Sequence, residues 1–158
     1  EAEAVLALQT KILGKSHPDL AATHGNLSLG YLRIRDLEAA REHAVAARTS
    51  IEEAYGPRSH FLLEPLLTES DARFALDEAA EARSLAERAL SIATTTLGPR
   101  HINTAFTWRA VADFQEHAGD RADARASYEE ARALFAEDGA ETEAAATARR
   151  LRALGPPP

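Results

Sequence analysis

Six histidines are the residues of this chain most open to a metal-binding or acid–base role. Three of them, His17, His60 and His101, follow a glycine in the short stretches LGKSH, YGPRSH and LGPRH. Zinc binds imidazole nitrogens at about 2 Å, so a shared metal would need all three side chains at one point. Their recurrence along the chain instead predicts one histidine per structural repeat, in the turn between two helices. We therefore expect them to be too far apart to share a metal.

The other polar clusters do not predict a catalytic site. His24 and His43 face each other across one predicted helix pair at best, and no third ligand accompanies them. His117 with Glu116 and Asp113 forms a small cluster that is typical of a solvated helix surface. The chain has no cysteine and no HExxH, GxSxG, Walker or GxGxxG motif. We therefore expect a protein that is not an enzyme, with no metal and no cofactor.

The composition indicates a folded helical protein. Hydrophobic residues make up 45% of the 158 residues, and alanine and leucine far outnumber the β-branched residues that a large sheet would need. The net charge of −7 weighs against a nucleic-acid partner, which favours a basic face. No apolar run approaches the roughly 18 residues of a membrane helix. We expect a cytoplasmic chain without a membrane partner and, because it lacks methionine, one processed or excised from a longer protein.

The chain repeats itself with a period of 42 residues. Gly14, Gly56 and Gly98 are separated by this interval, and Gly139 follows after 41 residues. Two sets of alanines keep the same interval: Ala40, Ala82 and Ala124, and Ala47, Ala89 and Ala131. A fixed period of this length is typical of helical repeat arrays. We therefore predict an array in which every repeat contains two helices.

Each repeat contains signals for the beginning and end of its helices. A glycine ends one helix, a proline suits the first turn of the next, and Ser16 and Ser59 are candidate caps. The prolines at 156–158 stop the last helix. The pattern predicts eight helices, at roughly 1–13, 17–34, 37–55, 59–76, 79–97, 101–117, 121–136 and 140–153.

The predicted organisation is one array over residues 1–158. Its parts are a second helix of a truncated repeat at 1–13, repeats at 17–56, 59–98 and 101–137, and a capping helix at 140–154. Because the partner of the first helix is missing, we expect an exposed apolar face there that includes Val5, Leu6 and Ile12. Such a face makes self-association through the N-terminal helix a further prediction.

Residues at several recurring positions of the predicted repeats resemble the signature residues of the tetratricopeptide repeat family. The matching residues are Trp108, Val111, Ala112, Ala124, Tyr128 and Ala131, with Leu27, Tyr31, Ala40 and Ala47 in the first full repeat. The longer period and the LG..HP junction resemble the kinesin-light-chain subtype. This resemblance implies an all-α fold, a right-handed α-α superhelix of antiparallel helices, with a concave surface lined by the first helix of each repeat. It also implies a bacterial signalling or regulatory protein.

The middle repeat departs from the family pattern. Glu69 stands in a leucine slot, Arg73 stands in a tyrosine slot, and Pro65 lies inside the predicted first helix. A proline there removes one backbone hydrogen bond and crowds the preceding turn. We expect this helix to begin late, near Glu64, or to kink.

The predicted function is binding of a peptide or partner protein in the concave groove. The solvent-facing positions of the first helices give the candidates Asn26, Leu29, Arg33, Thr68, Asp71, Arg109, Asp113 and Glu116. The resemblance implies that Asn26 holds an extended peptide backbone, and an amide suits that role because it both donates and accepts hydrogen bonds. The main hypothesis is a protein–protein interaction scaffold. The alternative is a ligand- or peptide-sensing domain that controls a fused kinase or transcription-regulator domain.

Overall fold

The computed structural model describes residues 2–14 and 17–155, and these residues form an all-α fold without strands. Eight α helices follow in chain order: α1 (Ala2–Leu13), α2 (Asp19–Ile34), α3 (Leu37–Tyr55), α4 (Leu63–Ala75), α5 (Ala79–Thr96), α6 (Ile102–Ala118), α7 (Arg121–Glu137) and α8 (Glu141–Ala153). The predicted eight helices are confirmed. The predicted cap at Ser16 and the stop at residues 156–158 lie outside the described residues.

The chain divides into two compact units, unit 1 (Glu1–Leu85) and unit 2 (Ala86–Pro158), with the boundary inside α5. In unit 1, α2 packs against α1, α3 and α4, and α3 also packs against α4. In unit 2, α7 packs against both α6 and α8. Each unit thus contains consecutive helices that pack as neighbours. The arrangement of residues 1–158 as a single array stays a prediction.

Glycines with a left-handed backbone end the helices that the period predicted. Gly14, Gly56 and Gly98 have φ angles of 87°, 84° and 99°. These angles suit glycine because a Cβ atom would strain the backbone there. At the end of α2, Arg35 takes a φ of 65° without a glycine, and its N–H donates to the carbonyl groups of Leu32 and Tyr31.

The helix of the middle repeat begins late, as its proline predicted. One turn of 3-10 helix (His60–Leu62) precedes α4, and the Ser59 hydroxyl accepts a hydrogen bond from the Phe61 N–H at 3.3 Å. Pro65 is the third residue of α4, in the first turn, where its missing N–H would have no partner within the helix. Ser59 is therefore confirmed as a cap, and Pro65 is accommodated without a mid-helix break.

Small residues let the helices of unit 1 approach one another closely. Ala40 and Ala82 are fully buried. The Ser28 hydroxyl donates to the Ala40 carbonyl at 2.7 Å, and the Ser70 hydroxyl donates to the Ala82 carbonyl at 2.8 Å. The two bonds are related by the 42-residue period, so each ties a first helix to the second helix of its own pair. The alanine period therefore reflects close helix packing.

The core of unit 2 extends to the last helix. Leu151 and Leu154 at the end of the chain pack with Ala112, Ala124 and Tyr128. The hydrophobic face of α8 thus packs against α6 and α7, while Arg149 and Arg152 are exposed. The role of α8 as a capping helix stays a prediction.

The two residues that break the repeat pattern form a buried ion-pair network. Glu69 is only 1% exposed, and its two carboxylate oxygens accept hydrogen bonds from Arg48 Nε at 2.7 Å and Arg73 Nε at 2.9 Å. Arg73 also donates to Glu78 at 2.7 Å, and the hydrogen bond that Arg73 donates to Glu69 raises the pKa of Arg73. Both oxygens of the buried carboxylate are thus satisfied by charge-assisted bonds.

Candidate functional site

The predicted binding residues of α2 lie together on one exposed face. Asn26, Leu29 and Arg33 are separated by three and four residues, which places them on the same side of the helix. All three side chains are exposed, and the Asn26 amide makes no hydrogen bond to another described residue. This face therefore offers a free amide, an apolar side chain and a cation to a ligand.

The two predicted positions of α4 differ in exposure. Asp71 is exposed, whereas Thr68 is only 4% exposed. The Thr68 hydroxyl donates to the backbone carbonyl of Glu64, one turn earlier, at 2.8 Å. The expectation that Thr68 faces solvent is wrong, because its side chain turns back onto the helix that carries it.

Arg109 of α6 packs its guanidinium over two aromatic rings. The guanidinium carbon lies 5.2 Å from the Phe106 ring centre and 5.5 Å from the Phe135 ring centre. These distances are within the range of cation–π attraction. The Arg109 side chain is half-buried, so its charge is available at the surface while its position is set by the rings.

Asp113 and Glu116 already have partners inside unit 2. The hydroxyl of the buried Tyr128 hydrogen-bonds to both carboxylates, and its oxygen lies 2.7 Å from Glu116 Oε2. Arg150 of α8 lies 2.9 Å from Asp113 and 3.9 Å from Glu116. Burial is the largest cause of the raised pKa of Tyr128, and the hydrogen bonds with the two carboxylates raise this pKa further. These two predicted groove residues therefore connect α6 to α7 and α8.

A second polar network joins α1 to the first helix pair. The Nδ1 atoms of His24 and His43 are 2.8 Å apart, and His43 Nε2 lies 3.1 Å from the Glu3 carboxylate. The Tyr31 hydroxyl donates to the same Glu3 oxygen at 2.8 Å, and its ring stacks on that of His43. Burial is the largest cause of the lowered pKa of His24, and the neighbouring His43 lowers this pKa further. The two histidines thus face each other as predicted.

Two of the three histidines of the repeat junctions accept a hydrogen bond from a backbone N–H at the start of a helix. His17 Nδ1 accepts from the Asp19 N–H at 3.2 Å, and His101 Nδ1 accepts from the Asn103 N–H at 3.1 Å. Each bond satisfies an N–H at the start of a helix that lacks a partner within the helix. Among the residues that the structure describes, no group of three histidine, aspartate or glutamate side chains could hold a metal.

A cavity of about 250 Å³ in unit 1 was not predicted from the sequence. It is lined by the start of α2, the end of α3 and the start of α4: Pro18, Ala21, Ala22, Gly25, Ile51, Tyr55, Phe61, Glu64 and Pro65. Tyr55 and Phe61 are 55% and 53% exposed as residues, and the centres of their aromatic rings are 5.2 Å apart. None of the eight predicted binding residues lines this cavity. The one signal in the sequence was the apolar Phe61, directly after the junction histidine.

An open surface pocket in unit 2 is lined by arginines. It lies between α7 and α8 and is lined by Arg125, Glu129, Arg132, Ala148, Leu151, Arg152 and Gly155. Arg125 donates to the carbonyl group of Gly155, and Arg121 donates to that of Leu154 at 2.8 Å. Two arginines of α7 thus bind the last carbonyl groups of the chain that the structure describes, a structural role typical of helix C-termini.

Comparisons with known proteins place the chain in a family. Residues 61–137 match a family model described as tetratricopeptide repeat. No curated protein sequence matches the chain. Residues 61–137 therefore consist of tetratricopeptide repeats, and the resemblance seen in the signature residues is confirmed. No helix in the part of the chain that the structure describes is long and apolar enough to cross a bilayer.

Solved structures show the same fold at low sequence identity. The putative kinesin light chain TPR-like repeats of Podosopora anserina match with a TM-score of 0.72 and 20% identity, over 97% of this chain and 83% of that chain. BtubC (BKLC) from P. vanneervenii matches with a TM-score of 0.73 and 16% identity, over 99% of this chain and 73% of that chain. The fold of the chain is therefore that of kinesin-light-chain-like tetratricopeptide repeats, as the 42-residue period and the glycine–histidine junctions indicated.

Proposed function

We propose that this chain is a protein–protein interaction scaffold that binds a peptide or a partner protein through the exposed face of α2. Tetratricopeptide repeats generally serve as scaffolds for such interactions. The observation that carries the proposal is the group of Asn26, Leu29 and Arg33, exposed together on the first helix of a pair. The Asn26 amide in particular has no internal partner among the described residues.

Each side chain of this face has a distinct role in the proposal. The amide of Asn26 donates to a carbonyl and accepts from an N–H of an extended peptide, so it holds the backbone without reading its sequence. Leu29 covers an apolar side chain of the peptide. Arg33 supplies a cation for a carboxylate of the partner. In unit 2, the half-buried Arg109 is the corresponding candidate.

The remaining predicted positions contribute less. Thr68 is buried, and Asp113 and Glu116 are engaged by Tyr128 and Arg150. A ligand could use these carboxylates only by replacing the bonds that they already make. The binding residues of the α2 face in the proposal are Asn26, Leu29 and Arg33, and the exposed Asp71 and the half-buried Arg109 are separate candidates.

The proposal extends to the cellular context. We place the chain in a larger bacterial signalling or regulatory protein of the cytoplasm, with no nucleic acid among its partners, because of the subtype that its junctions resemble and its net charge of −7. Control of a fused kinase or transcription-regulator domain is the alternative role. The sequence of the full-length protein separates the two, because a kinase or helix-turn-helix segment in it supports the alternative.

The experiment that tests the scaffold proposal begins with affinity capture from the native cell, with this chain as bait. A captured partner is then titrated by calorimetry against the wild type, Asn26→Ala and Arg109→Ala, with Glu42→Ala on the exposed side of α3 as the control. Loss of one hydrogen bond of about 1 kcal/mol weakens binding about five-fold. We expect this loss for Asn26→Ala and Arg109→Ala at an unchanged melting temperature. Equal affinity of all four proteins would contradict the assignment of the binding face.

A further inference from the structure

We propose that the cavity between α2, α3 and α4 binds the side chain of an arginine in the partner peptide. The inference rests on the proposed function, because it names the chemistry of one side chain of the ligand. Its evidence is independent of the α2 face. One cavity combines a carboxylate that has no partner among the described residues, two exposed aromatic residues and an apolar floor.

The carboxylate of Glu64 gives the cavity its charge. Every other residue that the structure describes in the lining of the cavity is uncharged. Among the described residues, none forms a hydrogen bond or an ion pair with this carboxylate, although its backbone carbonyl accepts from Thr68. Elsewhere in unit 1, the carboxylates of Glu69 and Glu78 are paired with arginines. A cation in the cavity would give Glu64 the same kind of partner.

The aromatic rings favour arginine over other cations. Tyr55 and Phe61 lie at an interplanar angle of 53° and expose about half of their surface. The planar guanidinium group stacks on such rings, whereas the ammonium group of lysine is compact and strongly hydrated. The ring of His60 contacts Phe61 at a centre distance of 4.2 Å, on the 3-10 turn that carries both residues.

The floor of the cavity suits the aliphatic part of the arginine side chain. Ala21, Gly25, Ile51 and Pro65 are buried, and they supply an apolar surface under the rings. The methylene groups of an arginine lie along such a surface while the charged end reaches a carboxylate. Gly25 keeps the floor open beneath Glu64, because a Cβ atom at this position would lie 3.5 Å from Glu64 Oε1.

The test uses three pentapeptides that differ only at the centre. They are acetyl-Gly-Leu-Arg-Leu-Gly-amide and the same peptide with citrulline or glutamate in place of arginine. Citrulline keeps the shape of arginine and removes its charge. Each peptide is titrated into the whole 158-residue chain, and the backbone amide signals are followed by NMR. We expect the arginine peptide to shift the signals of Gly25, Phe61 and Glu64, and the citrulline peptide to bind about five-fold more weakly.

Variants then assign the effect to the cavity. Glu64→Gln should weaken arginine binding about five-fold and leave citrulline binding unchanged, since only the charge is removed. Gly25→Ala should also weaken binding, because its methyl group enters the floor, while alanine is the better residue in a helix. Glu42→Gln on α3 removes the same charge outside the cavity and should change nothing.

Several results would overturn the arginine assignment. These are equal binding of the arginine and citrulline peptides, no effect of Glu64→Gln, shifts outside the cavity, or no binding at millimolar peptide. Shifts at the cavity that depend on protein concentration without any peptide would assign it to a second copy of the chain instead. A captured partner that binds with sensitivity to Asn26→Ala but not to Glu64→Gln would refute this inference and leave the scaffold proposal standing.

Discussion

At the scale of single residues, the departures from the family pattern compensate one another. Glu69 and Arg73 stand in the leucine and tyrosine positions of the pattern, and they form an ion pair with each other. Glu69 also binds Arg48 across the interface of α3 and α4. The two charges therefore depend on one another. Removal of Arg73 alone takes one of two arginine partners from the buried Glu69 carboxylate, whereas a joint change of Glu69 and Arg73 to apolar residues leaves no buried carboxylate.

The first prediction separates these two cases. Glu69→Ala should destabilise unit 1 by about 1.5–3 kcal/mol, because it removes the charge-assisted bonds that Arg48 and Arg73 donate to Glu69. The double variant Glu69→Leu/Arg73→Tyr, which restores the family pattern, should cost far less than Glu69→Ala or even stabilise the unit. Denaturant unfolding followed by circular dichroism measures both. If the double variant is less stable than Glu69→Ala, the ion pairs contribute more to the free energy of unfolding than apolar packing at these two positions would.

A second prediction concerns the histidine pair. The lowered pKa of His24 means that the folded chain binds fewer protons there than the unfolded chain. The stability contributed by neutral His24 is therefore present above its ordinary pKa of about 6.5 and is lost as the pH falls below that value. The facing groups are His43, Glu3 and Tyr31, and the pKa of Glu3 is also lowered, by its hydrogen bond with Tyr31.

The measurement is the free energy of unfolding at pH 7.5 and pH 5.5. The wild type should lose more stability between these two values than His24→Gln, which keeps a polar side chain but does not titrate. An equal loss in the wild type and in His24→Gln would show that the pair does not couple folding to pH.

At the scale of helices, the period of 42 residues sets which side chains meet. Ala82 is fully buried on α5, and its carbonyl accepts the bond from Ser70 on α4. Ala80, two residues earlier on the same helix, is exposed. The two alanines thus form a matched pair for a test of the helix register.

The third prediction compares Ala82→Phe with Ala80→Phe. The larger ring at the buried position should cost about 1–3 kcal/mol or more, because the helices can no longer approach each other. The same substitution at the exposed position should change the melting temperature little. Thermal unfolding measures both variants. An unchanged melting temperature for Ala82→Phe would refute the register.

The helices could be predicted because their signals are local and repeated. Glycines such as Gly56 mark helix ends, and alanines such as Ala40 mark close contacts at a fixed interval. The contact of Glu69 with Arg48 could not be predicted, because Arg48 lies on another helix. Thr68 was misplaced because its hydroxyl binds the carbonyl of its own helix, which a pattern of exposed positions does not reveal.

The candidate site was harder to predict than the fold. The three α2 residues could be predicted from helical spacing alone. The cavity at Glu64 could not, because three separate segments form it and its depth depends on the missing side chain of Gly25. Its recognition therefore required the tertiary structure of unit 1.

At the scale of the whole molecule, α1 exposes apolar side chains. Val5, Leu8 and Ile12 are exposed, Ile12 to 71%, while Leu6 is half-buried. Val5 and Ile12 are therefore exposed as predicted. Contact with a second copy of the chain would bury this surface, so we propose that the chain self-associates through α1.

The fourth prediction follows from that surface. Light scattering should show a mass that rises with protein concentration for the wild type, and Ile12→Ser together with Leu8→Ser should reduce the association. The matched control is Ile34→Ser, which alters an equally exposed apolar residue at the end of α2. A wild type that remains a monomer at all concentrations would contradict the proposal.

The central claim is that this tetratricopeptide chain binds peptides with the α2 face and the cavity of unit 1. A selection of random displayed peptides against the whole chain tests it most directly. We predict that the enriched peptides share an arginine, that their binding falls on Asn26→Ala and on Glu64→Gln, and that Glu42→Gln leaves it unchanged. A selection that enriches no peptide, or peptides that bind all three variants as tightly as the wild type, would contradict the claim.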